Sequence, residues 1–395
     1  MGTASTMACI LAALGLMPLK GASAAAVSAA RIRIAEETGG IAVRCAKKQI
    51  KPQDVLSRES FLNAITVLQA IGGSTNAVVH LMAIINRHPA VAGNITLQTF
   101  DEIGRRTPLL VDLKPSGENY MTDFHNAGGM PALLHALKPL LHLDAKTVTG
   151  QTLGELLDQT TYVPVPSDSP AQCIRTLSKP LYPASSLVVV KGNIAPQGAV
   201  MKASASKDRR LLKHKGRAVV FANTADMAMR IDSPELEVDS ESVLILQGIG
   251  PVGNPGMPEA GMIPIPRKLA AEGVSDMLRI SDGRMSGTAG GTIVLHVSPE
   301  SSHPESIFGV VRDGDMVEFD HDRRLLQVDV SDEELARRVR QRKQQMEETG
   351  SNSVDETSPW VAKQKMRGYR GLYMRSVNQA EAGADFDFLT AAGPA

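Results

Sequence analysis

Glu259 and Ser286 are the side chains best placed for chemistry, each set in a loop of glycine and proline. The loops read GPVGNPGMPEAGMIPIP over residues 250–266 and RISDGRMSGTAGGTIVLHV over 279–297. Gly250, Gly253, Gly256 and Gly261, around Pro251, Pro255 and Pro258, let the backbone take turns that residues with a side chain resist. Glu259 is the only carboxylate among them. In the second loop Gly283, Gly287, Gly290 and Gly291 flank Arg284, Ser286 and Thr288, and backbone N–H groups in such a loop can converge on an anion. Two loops that each carry one useful side chain read as parts of one site. Tight turns at the rim of a barrel would account for the same glycines.

A second grouping is Ser74, Thr75 and Asn76, between the stop Gly72-Gly73 and a new apolar run. The spare N–H donors and positive dipole of a helix N-terminus suit an anionic substrate; capping alone also accounts for these three residue types. His80 and His125 stand alone and read as packed or capping residues, not as catalysts. Cys9, Cys45 and Cys173 lie far apart without CxxC spacing, which gives neither a disulfide framework nor a closed zinc site and makes a reducing compartment the default.

Helices are expected to carry the first part of the chain. Met7, Ile10, Leu11 and Leu14 fall at helical spacing behind Thr3 or Ser5 as a cap. Ala24 to Thr38 reads as a helix ending on Gly39-Gly40, Ser57 to Ile71 as one ending on Gly72-Gly73, Ala77 to Ile85 as an apolar helix, and Gly128 to Leu140 as another. Pro108 to Leu113 reads as a buried strand. The first residues imitate a signal peptide and a myristoylation pattern, yet no basic residue precedes the apolar run Cys9 to Leu16, which argues against secretion. Tyr162 to Ser185, with five prolines, marks a boundary. Beyond it Leu187–Val190, Ala218–Phe221, Val243–Leu246, Ile293–Val297, Met316–Phe319 and Leu325–Val330 read as short strands of a barrel or sandwich. Ser331 to Glu348 is a charged helix with acidic residues in its first turn and a solvated basic face, and Gly368 to Ala382 is a closing helix.

With 395 residues, 43% of them hydrophobic, and a formal net charge of +0, the chain can bury one large or two medium cores. The neutral balance offers no electrostatic case for nucleic acid or a membrane surface, and no transmembrane span is visible.

Seven segments in order, GTASTM (Gly2 to Met7), GGSTNAVVHL (Gly72 to Leu81), HNAGGMPA (His125 to Ala132), KGNIAPQGAVMK (Lys191 to Lys202), GPVGNPGMPE (Gly250 to Glu259), SDGRMSGT (Ser281 to Thr288) and QAEAGADFDFL (Gln379 to Leu389), cover nearly the whole chain. Together they resemble the dihydroxy-acid and 6-phosphogluconate dehydratase family, most closely its sugar-acid (pentonate) branch. The resemblance implies an α/β N-terminal domain over 1–165, a linker over 166–184, a swivelling β-barrel domain over 185–350, and a C-terminal helix over 351–395 that returns to the first domain. It implies loss of water from a 2,3-dihydroxy sugar acid to give a 2-keto-3-deoxy acid. Ser286 then matches the base, Glu259 a Mg2+ ligand, and Thr288, Ser74 and Asn76 are expected on the substrate. A serine is a weak base unless positive charge and N–H groups stabilise its alkoxide. Arg284 is expected to brace its loop. The family's cofactors are Mg2+ and an iron-sulfur cluster, 2Fe-2S or 4Fe-4S, and its members assemble as a homodimer or homotetramer in the cytoplasm or mitochondrial matrix.

Departures from the family pattern bear on activity. Its cluster cysteines and remaining Mg2+ ligands belong before the segment matched by Met1, so no iron-sulfur ligand is expected in this chain, and the faces of Leu11, Leu14, Phe61 and Leu68 are expected to lie uncovered. Gly290 stands where the sugar-acid branch usually has an aromatic residue, with a consequence for substrate fit. Ser301-Ser302-His303 replaces a glycine-rich turn and reads as a surface change. Three functions compete: a sugar-acid hydro-lyase, a dihydroxy-acid dehydratase of branched-chain amino-acid biosynthesis, and a non-catalytic truncated remnant.

Overall fold

Alternation builds the barrel. In the nine-residue strand Lys213–Phe221, Lys213, Lys215 and Arg217 face out while His214, Gly216 and Ala218 are buried, the period-2 pattern of a half-buried strand. A computed structural model of the chain describes residues 1–162, 172–349 and 358–391. Residues 163–171, which hold Pro164, Pro166 and Pro170 of the expected linker, fall outside the described residues. The chain divides into two compact units, Met1–Ala77 with His88–Leu187, and Val78–Arg87 with Val188–Ala395.

The second unit is a closed barrel of β1 (Val188–Gly192), β2 (Ala195–Met201), β3 (Lys213–Phe221), β4 (Val243–Leu246), β5 (Arg279–Ser281), β6 (Ile293–Ser298), β7 (Met316–Asp320) and β8 (Leu325–Val328). Their order around the barrel is β1-β2-β6-β5-β4-β3-β7-β8. Four neighbours, β3, β4, β5 and β6, run parallel. Val190, Val294, Val297, Phe308, Phe319 and Leu326 fill the barrel core, each contributing roughly 1.5–3 kcal/mol by leaving water. Six strands lie where alternation or apolar runs put them, although β3 extends five residues further towards the N-terminus than its apolar run. The other two, β2 and β5, are additional. Closure rests on one backbone register pair between β1 and β8, Lys191 with Leu325. Asn193 completes that seam: its side-chain amide donates to the Val328 carbonyl and accepts from the Val328 N–H, both at 2.8 Å.

The charged helix runs Asp332–Thr349, with Ser331 accepting from the Glu334 N–H. Its basic face is not wholly solvated. Arg338 turns inward onto Asp315 at 2.6 and 3.0 Å, and Arg342 donates to the carbonyls of Ser301 and His303, because the loops beneath leave carbonyls that need donors. The closing helix stops at Ser376 and a 3-10 turn follows at Ala380–Ala382.

Among its described residues the first unit is helical, with single bridges in place of strands. The segment Pro108 to Leu113 is buried and extended, yet its N–H groups go to Ala70 and Cys173 instead of to a ladder, leaving only the bridges Leu109–Tyr182 and Val111–Ile174. The helix Arg58–Ala70 is capped by Ser57, which accepts from the Ser60 N–H. Leu14, Phe61 and Leu68 are fully buried, and Leu11 is half-buried, so the expected uncovered faces are packed. Two local readings are corrected. The first helix, Thr3–Ala13, has Gly2 at its N-cap with no side-chain cap, because the Thr6 hydroxyl donates to the Gly2 carbonyl and accepts from the Ser74 N–H. The second runs Ala29–Lys48 straight through Gly39-Gly40 and ends at Gln49 in a left-handed conformation; glycine weakens a helix without obliging it to stop.

Candidate active site

Both glycine loops leave the C-terminal ends of adjacent parallel strands, since Leu246 of β4 pairs with Ser281 of β5. Crevices at the carboxyl ends of parallel strands are where open α/β sheets bind ligands. Hydrogen bonds join the loops. The Gly261 N–H, two residues beyond Glu259, donates to the Arg284 carbonyl at 2.8 Å, and the Arg284 guanidinium donates to the Met257 carbonyl, so Arg284 braces the pair. The Ile249 N–H donates to Asp282 at 3.2 Å.

Two buried carboxylates organise this end. Asp282 accepts from the N–H and hydroxyl of Ser301. Burial pushes its carboxyl up to about 6, the charge of Glu300 adding to the effect and the hydrogen bonds opposing it. Glu300 accepts from the N–H groups of Val252 and Gly253 and from Gln379. The first loop wraps it so closely that a Cβ at Gly250 would lie 2.5 Å from the Glu300 Cβ. Close approach, not an unusual turn, is what Gly250 supplies; Gly256 alone of the four takes a left-handed φ, +93°. Ser301-Ser302-His303 is therefore no surface change: Ser301 and Ser302 are buried, Ser301 links Asp282 to the Gly248 N–H, and His303 packs edge-on against Trp360.

Ser286 is half-buried and Thr288 exposed. Their hydroxyls lie 2.9 Å apart, and the Thr288 N–H donates to the Ser286 Oγ at 3.4 Å. Beneath them Lys202, at the end of β2, is buried and donates to the Gly287 carbonyl at 3.3 Å; burial pushes its amine down to about 7. His296 interrupts β6 at a bulge with φ +57°, its N–H on the Gly283 carbonyl. Its ring is buried, both nitrogens lack a hydrogen-bond partner among the described residues, and burial, with Arg284 and His80 adding, pushes it down to about 3. His80 is lowered by burial and by Arg284, opposed by exposed Glu259.

Ser74 and Asn76 are fully buried, the Ser74 hydroxyl 3.0 Å from that of Thr3 and the Asn76 amide donating to Thr3 at 2.9 Å. His125 meets the Ser23 hydroxyl at 3.0 Å. Sequence reasoning passed over Lys202, Asp282, Glu300 and His296, and read His80 as a packed or capping residue. The available signal was a polar residue set within or directly after an apolar strand, as in AVMK and IVLHV.

Among the described residues no three His, Cys, Asp or Glu side chains gather as a metal site. Burial pushes the thiols of Cys9 and Cys173 up to about 12, and Cys45 donates to the Val148 carbonyl. Iron-sulfur clusters are held by thiolates, so these cysteines do not fit one. Glu259 offers one hard oxygen of the several an Mg2+ shell needs, which is not a complete site.

Two interlocked loops at parallel strand ends, one bearing a serine hydroxyl and the other a carboxylate, form the candidate site. The chain belongs to the dihydroxy-acid/6-phosphogluconate dehydratase family, whose N-terminal model matches residues 1–156 and whose C-terminal model matches 172–384. It is 42% identical over 387 residues to the L-arabonate dehydratase of Azospirillum brasilense, covering 97% of this chain and 62% of that protein. It is 40% identical over 397 residues to the 6-deoxy-6-sulfo-D-gluconate dehydratase of Pseudomonas putida (99% and 63%), and 36% identical over 388 residues to dihydroxy-acid dehydratase 1 of Methanosarcina acetivorans (98% and 65%). The chain thus spans less than two thirds of the length of these relatives. Among the described residues no helix is long and apolar enough to cross a membrane.

Proposed function

We propose that the chain carries the base-bearing part of a hydro-lyase that converts a 2,3-dihydroxy sugar acid to its 2-keto-3-deoxy acid. The observation that carries this reading is Ser286, held with the Thr288 hydroxyl at 2.9 Å in a loop tied to that of Glu259. Ser286 Oγ takes the proton at C2, the C–H electron pair forms the C2–C3 double bond, and the C3–O bond breaks. The proton leaves with the hydroxide as water, and the enol ketonises. The Thr288 N–H and hydroxyl stabilise the charge on Ser286 Oγ, which is the contribution a preorganised donor pair makes to such a step. Glu259, exposed on the companion loop, would supply one hard oxygen donor to Mg2+, whose chemistry would be to stabilise an enolate. The relatives named for sugar acids, at 40–42% identity against 36–38% for those named dihydroxy-acid dehydratase, favour a sugar acid. The buried thiols of Cys9 and Cys173 support a second reading, in which the chain alone does not turn over.

The test supplies pentonates, hexonates and a branched 2,3-dihydroxy acid to the chain after anaerobic incubation with iron, sulfide and Mg2+. It reads 2-keto acid with a carbonyl reagent and substrate binding by calorimetry. Binding of a sugar acid is the expected result, and any turnover is lost in Ser286→Ala. Preference for the branched acid would reassign the substrate, and absence of binding to any of them would refute the reading.

A further inference from the structure

Lys202 is a cation buried against the serine loop. Its segment grips that loop at several points: Lys202 on the Gly287 carbonyl, the Ala205 carbonyl on the Gly291 N–H at 2.8 Å, and the Ser206 hydroxyl on that of Thr292 at 2.7 Å. The Gly287 carbonyl and the Thr288 N–H belong to one planar trans peptide and so point in opposite directions. Drawing that carbonyl inward onto Lys202 therefore turns the Thr288 N–H outward, where it meets the Ser286 Oγ at 3.4 Å. Among the described residues the Gly287 carbonyl is the only hydrogen-bond acceptor of Lys202. A buried lysine with so little compensation costs folding energy, and such groups concentrate where function requires them.

We propose that Lys202 is a positioning residue for Ser286: it fixes the Gly287–Thr288 peptide so that its N–H stabilises a serine oxyanion. This inference rests on the reading of Ser286 as the base. It differs from a plain packing role because the side chain acts through a peptide orientation, not through the volume it fills. Lys202→Met keeps the volume and removes the donor.

A fluorophosphonate reads the state of Ser286 directly and needs neither cofactor nor turnover: Oγ attacks phosphorus, a P–O bond forms and fluoride leaves. The whole chain is labelled across pH 6–10 and the adduct counted by intact mass, with Ser286→Ala as blank. Loss of the hydrogen bond to the Gly287 carbonyl is expected to slow labelling in Lys202→Met by about threefold to tenfold. The rise of the rate with pH should move to higher pH, and hydrogen exchange should quicken over residues 284–291. The unfolding midpoint should not fall, whereas a merely structural lysine would lower it. Lys202→Leu repeats the measurement with a different shape, and Lys202→Arg, which keeps a donor, should restore part of the rate. Labelling in the parent that persists unchanged in both Met and Leu variants sinks the role of Lys202 alone. No labelling of the parent above the Ser286→Ala blank sinks the base assignment and this inference with it.

Discussion

Removing the counter-ion of Arg279 should cost the barrel unit a large part of its stability. Arg279 and Asp276 are both buried and meet at 2.8 Å. Asp276 also accepts from the Thr292 N–H and hydroxyl, and from the N–H groups of Lys207 and Met277. Arg279 donates to the Ile263 carbonyl at 3.0 Å, so the pair ties β5 to the ends of both glycine loops. Burial lowers the Arg279 pKa and the charge of Asp276 opposes that, the sign expected where the partner is what keeps the guanidinium charged. Asp276→Asn leaves the charge uncompensated and turns an amide towards N–H donors; breaking such a buried pair costs about 3–5 kcal/mol. For a unit of this size that is a loss of roughly 10 °C in the unfolding midpoint. The single tryptophan, Trp360, edge-on to His303 at 4.5 Å, reports the transition by fluorescence. The double change Asp276→Asn with Arg279→Met should recover part of the loss, because no uncompensated buried charge then remains. A single variant within about 1 kcal/mol of the parent would show that the carbonyls of Ile263 and Met277 suffice for the guanidinium, and would refute the reasoning.

Gly250→Ala, with its Cβ 2.5 Å from that of Glu300, should cost about 1–3 kcal/mol by overpacking and release the first loop. Gly256→Ala, at φ +93° in open space, should cost only about 1–2 kcal/mol of backbone strain; paired denaturation curves of equal depth would contradict the distinction. Asp282, raised to about 6 against an ordinary 3.8, binds a proton more readily in the folded state. Its contribution is therefore fully present below pH 4 and is lost as pH rises through about 6, by up to roughly 3 kcal/mol. Parent stability minus that of Asp282→Asn should fall over that window, and a flat difference would argue against the assignment. Asn193→Ala unpairs the N–H and carbonyl of buried Val328; at about 1–3 kcal/mol for each unmet group, hydrogen exchange in β8 should quicken well before that in β4.

Which parts of the molecule were legible follows from how far each signal reaches along the chain. Val243–Leu246 declares itself because four buried apolar residues in a row need no partner to be recognised. The strand β2 hid behind Pro196 and Gly198, which a barrel accommodates at a bulge. The strand β5 hid because Arg279 and Ser281 are polar yet buried; only Asp276, Ile263 and the Leu246 carbonyl, supplied by the fold, make that possible. The same holds at the candidate site. Glu259, Ser286 and their glycines stand out by type and spacing. Lys202, Asp282 and Glu300 do not, since what makes them important is a contact with a residue distant in sequence. The glycines were noticed for the right positions and, at Gly250, for a different physical reason, steric approach in place of a special dihedral angle. Gly39-Gly40 shows the converse, a local stop signal overridden inside a continuous helix.

The β1–β8 seam gives this barrel a weak point with a definite location. Every other pair of neighbouring strands shares two or more register pairs, while this one shares Lys191 with Leu325 and leans on the amide of Asn193. Strands so distant in the chain meet late, because the loop entropy between them must be overcome first. The cylinder should therefore form as an open, curved sheet that closes last and reopens first. Each brief opening bares two unpaired strand edges at once, and an unpaired edge is a template for another chain. At high concentration or on gentle warming, self-association should start from this seam, with strands exchanged between molecules and the rest of the barrel still folded.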